Sequence, residues 1–272
     1  MAVSGPAYVA DTAKAFDAVA PEYHRSNVEN PILQHMRHRT LSVLLRSVPG
    51  GSRILDLGCG PGTDHPDMVR AGYHVTGIDI SPEMIHEAAQ RASAMSGATR
   101  PTLFCAPIQR LQQLALEPFD AVFSNFGPLN CVPDLVDAAR QIHHLLKPRG
   151  VLIASVIGRV CPWEIALYLA RGDASRAFTR FRRGPVRVPL KDGTVWMQYA
   201  TPGGFERTFA SAGFTRRERY GLGVIAPPPY MNAFATRRPA LVERLLDLDD
   251  VVGRWPFLRS VGDHFLVVLD RA

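Results

Sequence analysis

Three glycines at alternate positions, Gly58, Gly60 and Gly62, follow the short apolar run 54–57. Glycine adopts backbone angles that other residues avoid, and it lets a ligand approach the main chain without a Cβ in the way. In open α/β sheets, a loop of this kind at the carboxyl end of the first strand lies at the crevice where ligands bind. The spacing therefore predicts a ligand-binding loop, which also contains Cys59.

Two carboxylates near this loop indicate what it holds. Asp56 lies two residues before Gly58, where a carboxylate disfavours a pyrophosphate but can hold the ammonium group of an amino acid, directly or through water. Asp79 lies 21 residues after Gly58, at the end of a second apolar run, where an acid accepts hydrogen bonds from both hydroxyls of a ribose. A dinucleotide fingerprint needs a third glycine at the position of Thr63. The pattern therefore favours a ligand with an amino acid and a ribose over NAD.

Strands and helices must alternate for these side chains to meet at one edge. Short apolar runs predict strands, and the segments between them have helical spacing. Ser81 is a good N-cap, and Pro82 suits the first helical position. Such alternation predicts a parallel, doubly wound sheet. The predicted strands are 53–57, 74–79, 103–105, 119–124, 151–156, 195–199, 216–224 and 264–269; predicted helices lie within 1–48, 67–71, 81–96, 135–146, 162–181, 205–212 and 239–259, with a break at 184–189.

The ordered runs ILDLGCGPGT, GIDIS, FDAVFSNFG and LLKPRGVLI resemble the motif series of class I (Rossmann-like) S-adenosylmethionine (SAM)-dependent methyltransferases. The pattern is most similar to the branch with quinone C-methyltransferases and small natural-product methyltransferases. The resemblance spans about residues 12–157 and the final strand. It implies an α/β fold: a doubly wound, seven-stranded, mostly parallel sheet with an antiparallel last strand, N-terminal helices and an inserted helical cap.

The resemblance also implies a division of the chain and a set of cofactor contacts. Residues 1–48 would be a helical segment covering the cofactor, 49–157 the SAM-binding core, 158–262 the substrate and cap elements, and 263–272 the final strand. The methionine part of SAM would lie beside the glycine loop, the ribose on the second strand, and the sulfonium or substrate after the fourth. The implied cofactor-binding residues are Tyr23, Asp56, Gly58, Cys59, Gly60, Gly62, Asp79, Ile80, Met84, Ile108, Asn125 and Phe126.

One segment departs from the family pattern. Many relatives carry an acid after the third strand that binds the adenine amino group, whereas residues 105–109 contain none. Pro107 has no backbone N–H to donate. Adenine recognition is therefore expected from backbone groups of Ala106 or Ile108.

The general base and any metal site are not specified by spacing. No histidine forms an obvious pair with an acid, so the candidates are His264, His24 and Tyr23, with His65 and Glu164 as weaker ones. The four cysteines are far apart and form no CxxC pair, and no metal is expected.

The positive charge lies in the second half of the chain. Residues 1–157 carry 13 basic and 14 acidic side chains, whereas residues 158–272 carry 18 basic and 11 acidic ones. A helix through 171–187 would place Arg176, Arg180 and Arg183 on one face. That face is either a solvated surface or a site for an anionic acceptor, namely a carboxylate, a phosphate or an acyl group on an acidic carrier. All three tryptophans also lie in this half, where they either pack a cap or form an aromatic acceptor pocket.

Three classes of function remain open. The first is a SAM-dependent methyltransferase acting on a small molecule at an O, N or C atom, such as a natural-product or quinone-like metabolite. The second is a methyltransferase acting on RNA or protein, although no aromatic–basic RNA-binding pattern is visible. The third is a non-catalytic protein that binds SAM or NAD.

Location and assembly are expectations from composition alone. The N-terminus lacks a basic region followed by an apolar run, which argues against a secretory signal. No apolar stretch approaches the roughly 18 residues needed to span a bilayer. We therefore expect no membrane span and a cytoplasmic location, with the oligomeric state open.

Overall fold

The computed structural model describes residues 5–96, 99–191 and 193–272. Its main sheet has seven strands in the order β3-β2-β1-β4-β5-β9-β8. The last strand, β9, runs antiparallel to both β5 and β8, while the pairs among β1 to β5 are parallel. This confirms the predicted seven-stranded sheet. The strands are β1 Arg53–Leu57, β2 His74–Asp79, β3 Thr102–Cys105, β4 Phe119–Ser124, β5 Leu146–Ile157, β6 Val186–Leu190, β7 Gly193–Met197, β8 Phe214–Leu222 and β9 His264–Arg271.

Helices cover both faces of the sheet. The helices are α1 Gly5–Asp17, α2 Ala20–Val28, α3 Pro31–Ser47, α4 His65–Arg70, α5 Pro82–Ser93, α6 Leu135–Leu145, α7 Pro162–Ala170, α8 Ala174–Ala177, α9 Pro202–Ala210, α10 Asn232–Arg237 and α11 Pro239–Val252. One core packs α3, α10 and α11 against the sheet, and the other packs α6 and α9. Burial on both faces agrees with residues 54–57 of β1 being buried without alternation. None of the helices in the described ranges combines the length and apolar character needed to cross a bilayer.

Side-chain caps fix where helices α5 and α3 begin. The Ser81 hydroxyl accepts a hydrogen bond from the Met84 backbone N–H at 3.0 Å, which confirms the predicted start of α5. The Asn30 side chain accepts from the backbone N–H groups of Ile32 and Leu33 and so begins α3. Both caps satisfy amides that would otherwise lack partners in the first helical turn.

The cap between β5 and β8 differs from the sequence prediction. The predicted helix 162–181 is wrong as a single element, because α7 ends at Ala170 and Gly172 adopts a φ of +74°. Asp173 then caps the short α8 by accepting from the Arg176 backbone N–H at 2.9 Å. The predicted break at 184–189 is instead strand β6, which forms a separate hairpin with β7. The predicted helix 239–259 is shorter, since α11 ends at Val252.

Helix α1 packs against the β6–β7 hairpin. The indole N–H of Trp196 donates to the Asp11 carboxylate at 3.0 Å, and the Trp196 ring stacks on Tyr8 at 5.9 Å between centroids. A Cβ at Gly193 would lie 2.7 Å from the Cα of Ala15, so the hairpin backbone touches the helix. We call this assembly of α1 and the hairpin the roof, because it lies over the carboxyl edge of the main sheet.

Candidate functional site

A cavity lies between the roof and the carboxyl ends of β1, β2 and β4. This is the position at which open α/β sheets bind ligands. Eleven of the twelve cofactor-binding residues predicted from the sequence line it: Tyr23, Asp56, Gly58, Cys59, Gly60, Asp79, Ile80, Met84, Ile108, Asn125 and Phe126. The structure therefore brings these sequence-distant side chains to one place.

The three glycines of the loop have different roles. All adopt positive φ, at +71° for Gly58, +53° for Gly60 and +68° for Gly62. A Cβ added at Gly58 would lie 2.3 Å from the Pro128 side chain, and a Cβ added at Gly62 would lie 2.8 Å from His65 Nδ1. The absence of a Cβ at both glycines therefore lets these neighbours pack closely. At Gly60 the nearest atom to such a Cβ is the Met84 sulfur at 4.0 Å. Gly60 thus keeps the cavity open, whereas Gly62, predicted to contact the cofactor, lies outside the lining.

Asp79 joins the glycine loop to α5. One carboxylate oxygen accepts from the Gly60 backbone N–H at 2.8 Å, and the other accepts from the Ser81 backbone N–H at 2.9 Å. Each oxygen keeps a further lone pair for a ligand hydroxyl. Burial raises the pKa of Asp79 to about 6, against the lowering effect of these amide hydrogen bonds. The geometry suits a carboxylate held in place to receive the two hydroxyls of a ribose.

Asp56 is buried at the end of β1, and one of its oxygens lies 3.1 Å from His65 Nε2. Burial raises the pKa of Asp56, and the hydrogen bond with His65 opposes that effect. His65, a weaker candidate for the general base, is therefore a partner of Asp56 beneath the loop. The sequence showed the acid but not the histidine that orients it.

A second polar group at the cavity was not predicted. The Arg37 guanidinium pairs with the Asp64 carboxylate, and the Asn125 side-chain amide donates to the other Asp64 oxygen at 3.4 Å. Arg37 also lies over the Phe126 ring, 5.0 Å from its centroid. Its Nε is buried without a hydrogen-bond partner, although Arg37 lines the cavity. The sequence offered one signal for this group, a charged residue, Arg37, on the buried side of α3. Its partner Asp64 is 27 positions away, so sequence spacing did not reveal the pair.

The candidates for a general base occupy different places. Tyr23 lines the cavity, and burial raises the pKa of its phenol, so it is neutral there. His24 lies outside the lining, with Nδ1 3.0 Å from the Thr63 hydroxyl. His264 lies behind Phe126, its ring perpendicular to the phenyl ring at 6.1 Å between centroids. Tyr23 is thus the one candidate of the three among the lining residues described.

The predicted stripe of arginines on the cap does not exist. Arg180 is buried and forms what we call the cap cluster: its guanidinium donates to Glu164 at 2.6 Å, to Asp263 at 2.7 Å, and to the backbone carbonyl of Gly158 at 3.1 Å. Arg176 and Arg183 remain exposed. The prediction was wrong because α8 ends at Ala177, between Arg176 and Arg180, so the three arginines do not share one helix.

The cap cluster also extends to the sheet and to a cysteine. Asp263 lies 2.9 Å from His264 Nδ1, and the pKa of Asp263 falls well below its usual range because Arg180 and His264 outweigh its burial. Ligand atoms of Cys161, Glu164 and Asp263 lie within 4.8 Å of one another. Since the Arg180 guanidinium already pairs with both carboxylates, this group is an ion pair network rather than a cation site.

Few residues of the cap reach the cavity. Met197 of β7 is the one residue from 158–262 among those lining it. Trp163 donates its indole N–H to the Ile225 carbonyl at 2.7 Å, Trp196 packs in the roof, and Trp255 is exposed. Of the two alternatives for the tryptophans, the aromatic acceptor pocket is therefore not formed around this cavity. The wall of the cavity opposite the sheet comes from α1. There the buried Thr12 hydroxyl has no hydrogen-bond partner within the described residues.

Comparisons with known proteins agree with this geometry. A family described as "Methyltransferase domain" matches residues 54–150, which include the glycine loop, Asp79 and Asn125. The chain is 36% identical over 123 residues to the ubiquinone biosynthesis O-methyltransferase of Xylella fastidiosa, covering 44% of this chain and 48% of that protein. It is 33% identical over 150 residues to the demethylmenaquinone methyltransferase of Tropheryma whipplei, covering 54% and 59%. The chain thus matches about half the length of these curated relatives.

Solved structures match over a longer range. The CcbJ methyltransferase from Streptomyces caelestis superposes with a TM-score of 0.63 at 17% identity, covering 96% of this chain and 99% of that one. The [4+2]-cyclase SpnF gives the same TM-score at 17% identity, covering 95% and 94%. At these identities the likeness concerns the fold alone, and the fold is shared with a protein named for a different reaction.

The sheet order and the cavity at its carboxyl edge thus agree with the match of residues 54–150 to the methyltransferase domain family, and together they support a class I (Rossmann-like) SAM-dependent methyltransferase.

Proposed function

We propose that this protein transfers the methyl group of SAM to a small-molecule acceptor bound between the glycine loop and the roof. The observation that carries the proposal is the pairing of Asp79 with Gly60, which leaves two fixed carboxylate oxygens at an open stretch of backbone. Such an arrangement recognises a ribose and excludes a side chain from the ligand's path.

The lining residues fit SAM along its whole length. Asp79 would receive the ribose hydroxyls, with Ile80 and Ile108 on either side of the adenine. The unpartnered Nε of Arg37 would donate to the carboxylate of the methionine part, and Asp56 would hold its ammonium group directly or through water. Nine buried side-chain atoms in the described ranges lack a hydrogen-bond partner, and of these only Arg37 Nε and the Thr12 hydroxyl belong to residues that line the cavity.

SAM supplies an electrophilic methyl group on a sulfonium ion. The protein then needs to position the acceptor and exclude water rather than activate the donor. Phe126 would present its ring to the cationic centre, a contact of about 0.5–2 kcal/mol. The roof would exclude water, because α1 places Val9, Thr12 and Phe16 in the cavity wall.

The cavity favours a small acceptor over RNA or protein, because it is covered by the roof and offers one basic lining residue, Arg37, already paired with Asp64. The same pairing gives an anionic acceptor less support than the sequence suggested. A quinone-like or natural-product acceptor is consistent with the names of the curated relatives.

Two measurements test the proposal. Calorimetry with SAM, S-adenosylhomocysteine (SAH) and NAD should show binding of the first two and none of NAD. Incubation with methyl-deuterated SAM and fractions of a cell extract should place the label in a small molecule, identified by mass spectrometry. Label found in RNA or protein would support the second class of function. Binding of SAM without any labelled product would support a non-catalytic protein.

A further inference from the structure

The ring of Phe126 contacts two residues that are distant in the sequence, Arg37 and His264. Phe126 lines the cavity just after β4, and its φ of +60° is uncommon for a residue with a bulky side chain. Its backbone N–H donates to the Asn125 side chain at 3.1 Å. Backbone of this kind persists where the surrounding structure holds it, and it is concentrated at functional sites. The two contacts of the ring therefore indicate what this conformation achieves.

The Arg37 guanidinium lies over the Phe126 ring, 5.0 Å from its centroid. Arg37 is buried and pairs with Asp64 through Nη1, while its Nε has no hydrogen-bond partner. The contact with Asp64 at one nitrogen would still let the guanidinium rotate. An aromatic ring against the planar guanidinium fixes its plane, because the two surfaces attract each other. Phe126 thus determines which donors of Arg37 remain free toward the cavity.

His264 makes the second contact with the Phe126 ring. The two rings are perpendicular at 6.1 Å between centroids, an arrangement that aromatic pairs prefer. His264 is itself anchored, because its Nδ1 lies 2.9 Å from the Asp263 carboxylate, which pairs with Arg180 at 2.7 Å. The Asp263 carbonyl also accepts from the Gly158 backbone N–H at 2.9 Å. His264 is therefore a fixed point against which Phe126 packs.

We propose that His264 and Phe126 are positioning residues that hold the Arg37 guanidinium toward the carboxylate of the methionine part of SAM. The inference rests on the proposed function, since it takes SAM as the ligand. His264 does not line the cavity, and for this role it does not need to, because its contact passes through Phe126. The cap cluster would then influence cofactor binding, although Met197 is the one residue of 158–262 among the described lining residues.

Calorimetry with SAH and with methylthioadenosine tests the proposal without an acceptor. The two ligands share the adenine and the ribose, but methylthioadenosine lacks the amino acid part. SAH also lacks the sulfonium cation, so a contact of Phe126 with that centre does not contribute. His264→Asn should weaken SAH binding by about five-fold and leave methylthioadenosine binding unchanged, because the amide can still donate to Asp263 but cannot pack against the Phe126 ring. Phe126→Leu should show the same difference between the ligands, and it gives the answer if His264→Asn does not fold.

A double-mutant cycle and a matched control separate positioning from general packing. Arg37→Gln should weaken SAH binding by about ten-fold or more and abolish the effect of His264→Asn, because residues that act through one another are not additive. His143→Asn removes a similar contact elsewhere, since His143 is perpendicular to Phe214 at 5.5 Å between centroids and lies outside the cavity lining. It should leave the affinities for both ligands unchanged.

Three results would overturn the inference while the wild-type protein still binds SAH. The first is an equal loss of both ligands in His264→Asn, which would mean a general loosening of the site. The second is an undiminished effect of His264→Asn in the Arg37→Gln background, and the third is no effect of His264→Asn or Phe126→Leu on SAH. A wild-type protein that binds neither ligand would instead refute the proposed function, and the inference with it.

Discussion

We call the glycine loop with Asp56, Asp64, Asp79 and Arg37 the cavity floor. The cavity floor and the cap cluster both hold buried acids beside a buried arginine, and they differ in which hydrogen-bonding groups lack a partner within the protein. In the cap cluster, Arg180 donates to two carboxylates and to backbone carbonyls, so its hydrogen-bonding capacity is used within the protein. At the floor, Asp79 keeps lone pairs toward the cavity, and Arg37 Nε has no partner. Buried charge alone therefore does not mark a binding site. The capacity left open toward a cavity does.

The largest expected effect is a loss of folding stability when the arginine of the cap cluster is replaced. Arg180→Met should lower the free energy of unfolding by about 3–5 kcal/mol, because Glu164 and Asp263 would remain buried without a cation. Arg176→Met, at an exposed position on the same segment, should change it by no more than about 0.5 kcal/mol. Urea unfolding of both variants gives the measurement. Equal effects would mean that the cap cluster adds nothing beyond a surface ion pair.

The next largest effect distinguishes the role of Gly60 in ligand binding from the role of Gly58 in packing. Gly60→Val should remove detectable SAH binding while the protein stays folded, because the new side chain would project into the cavity with no protein atom closer than Met84. Gly58→Ala should instead lower the melting temperature, because its Cβ would meet the Pro128 side chain at 2.3 Å. Calorimetry with SAH and thermal unfolding on both variants test this division. A folded Gly60→Val protein with normal SAH affinity would refute the assigned role of the loop.

The smallest effect is a dependence on pH at Asp79. Its pKa of about 6 means that lowering the pH through that value protonates the carboxylate and removes an acceptor for the ribose. If the ionised form binds, SAH affinity should be constant above about pH 7 and fall by about ten-fold at about pH 5. Asp79→Asn should bind SAH more weakly at all pH values and lose this dependence. A wild-type affinity that does not change in this window would contradict the ribose assignment.

The floor was predictable from sequence because its signals are local. Gly58, Gly60 and Asp79 act through backbone angles and strand ends that short spacings encode, and the structure places all three at the cavity. Arg37 was missed because its significance depends on Asp64, which only the packing of α3 against the loop brings near. Gly62 looked equivalent to its neighbours in spacing, but it faces His65.

The cap was predictable only in outline. A helical spacing of arginines cannot show that α8 ends at Ala177 and separates Arg176 from Arg180. The partner that draws Arg180 inward, Asp263, lies 83 residues further along the chain. Counting charges therefore indicated a basic surface, whereas one of the three arginines is a buried structural residue. The predicted strand 195–199 overlaps β7, but β6 and its pairing with β7 were missed for a similar reason, since the packing partner of the hairpin is α1.

The contact between Asp11 and Trp196 has a consequence for the order in which the protein is made, because it joins residues 185 positions apart. A ribosome releases the N-terminus first, and domains generally begin to fold in that direction. The strands of the floor, β1, β2 and β4, are complete by residue 124, well before the hairpin exists. Helix α1 must therefore wait, with Tyr8 and Ala15 uncovered, until about residue 197 has been added. Folding in chain order would therefore form the ligand edge while it is still open to water, and would enclose it only in the later part of synthesis.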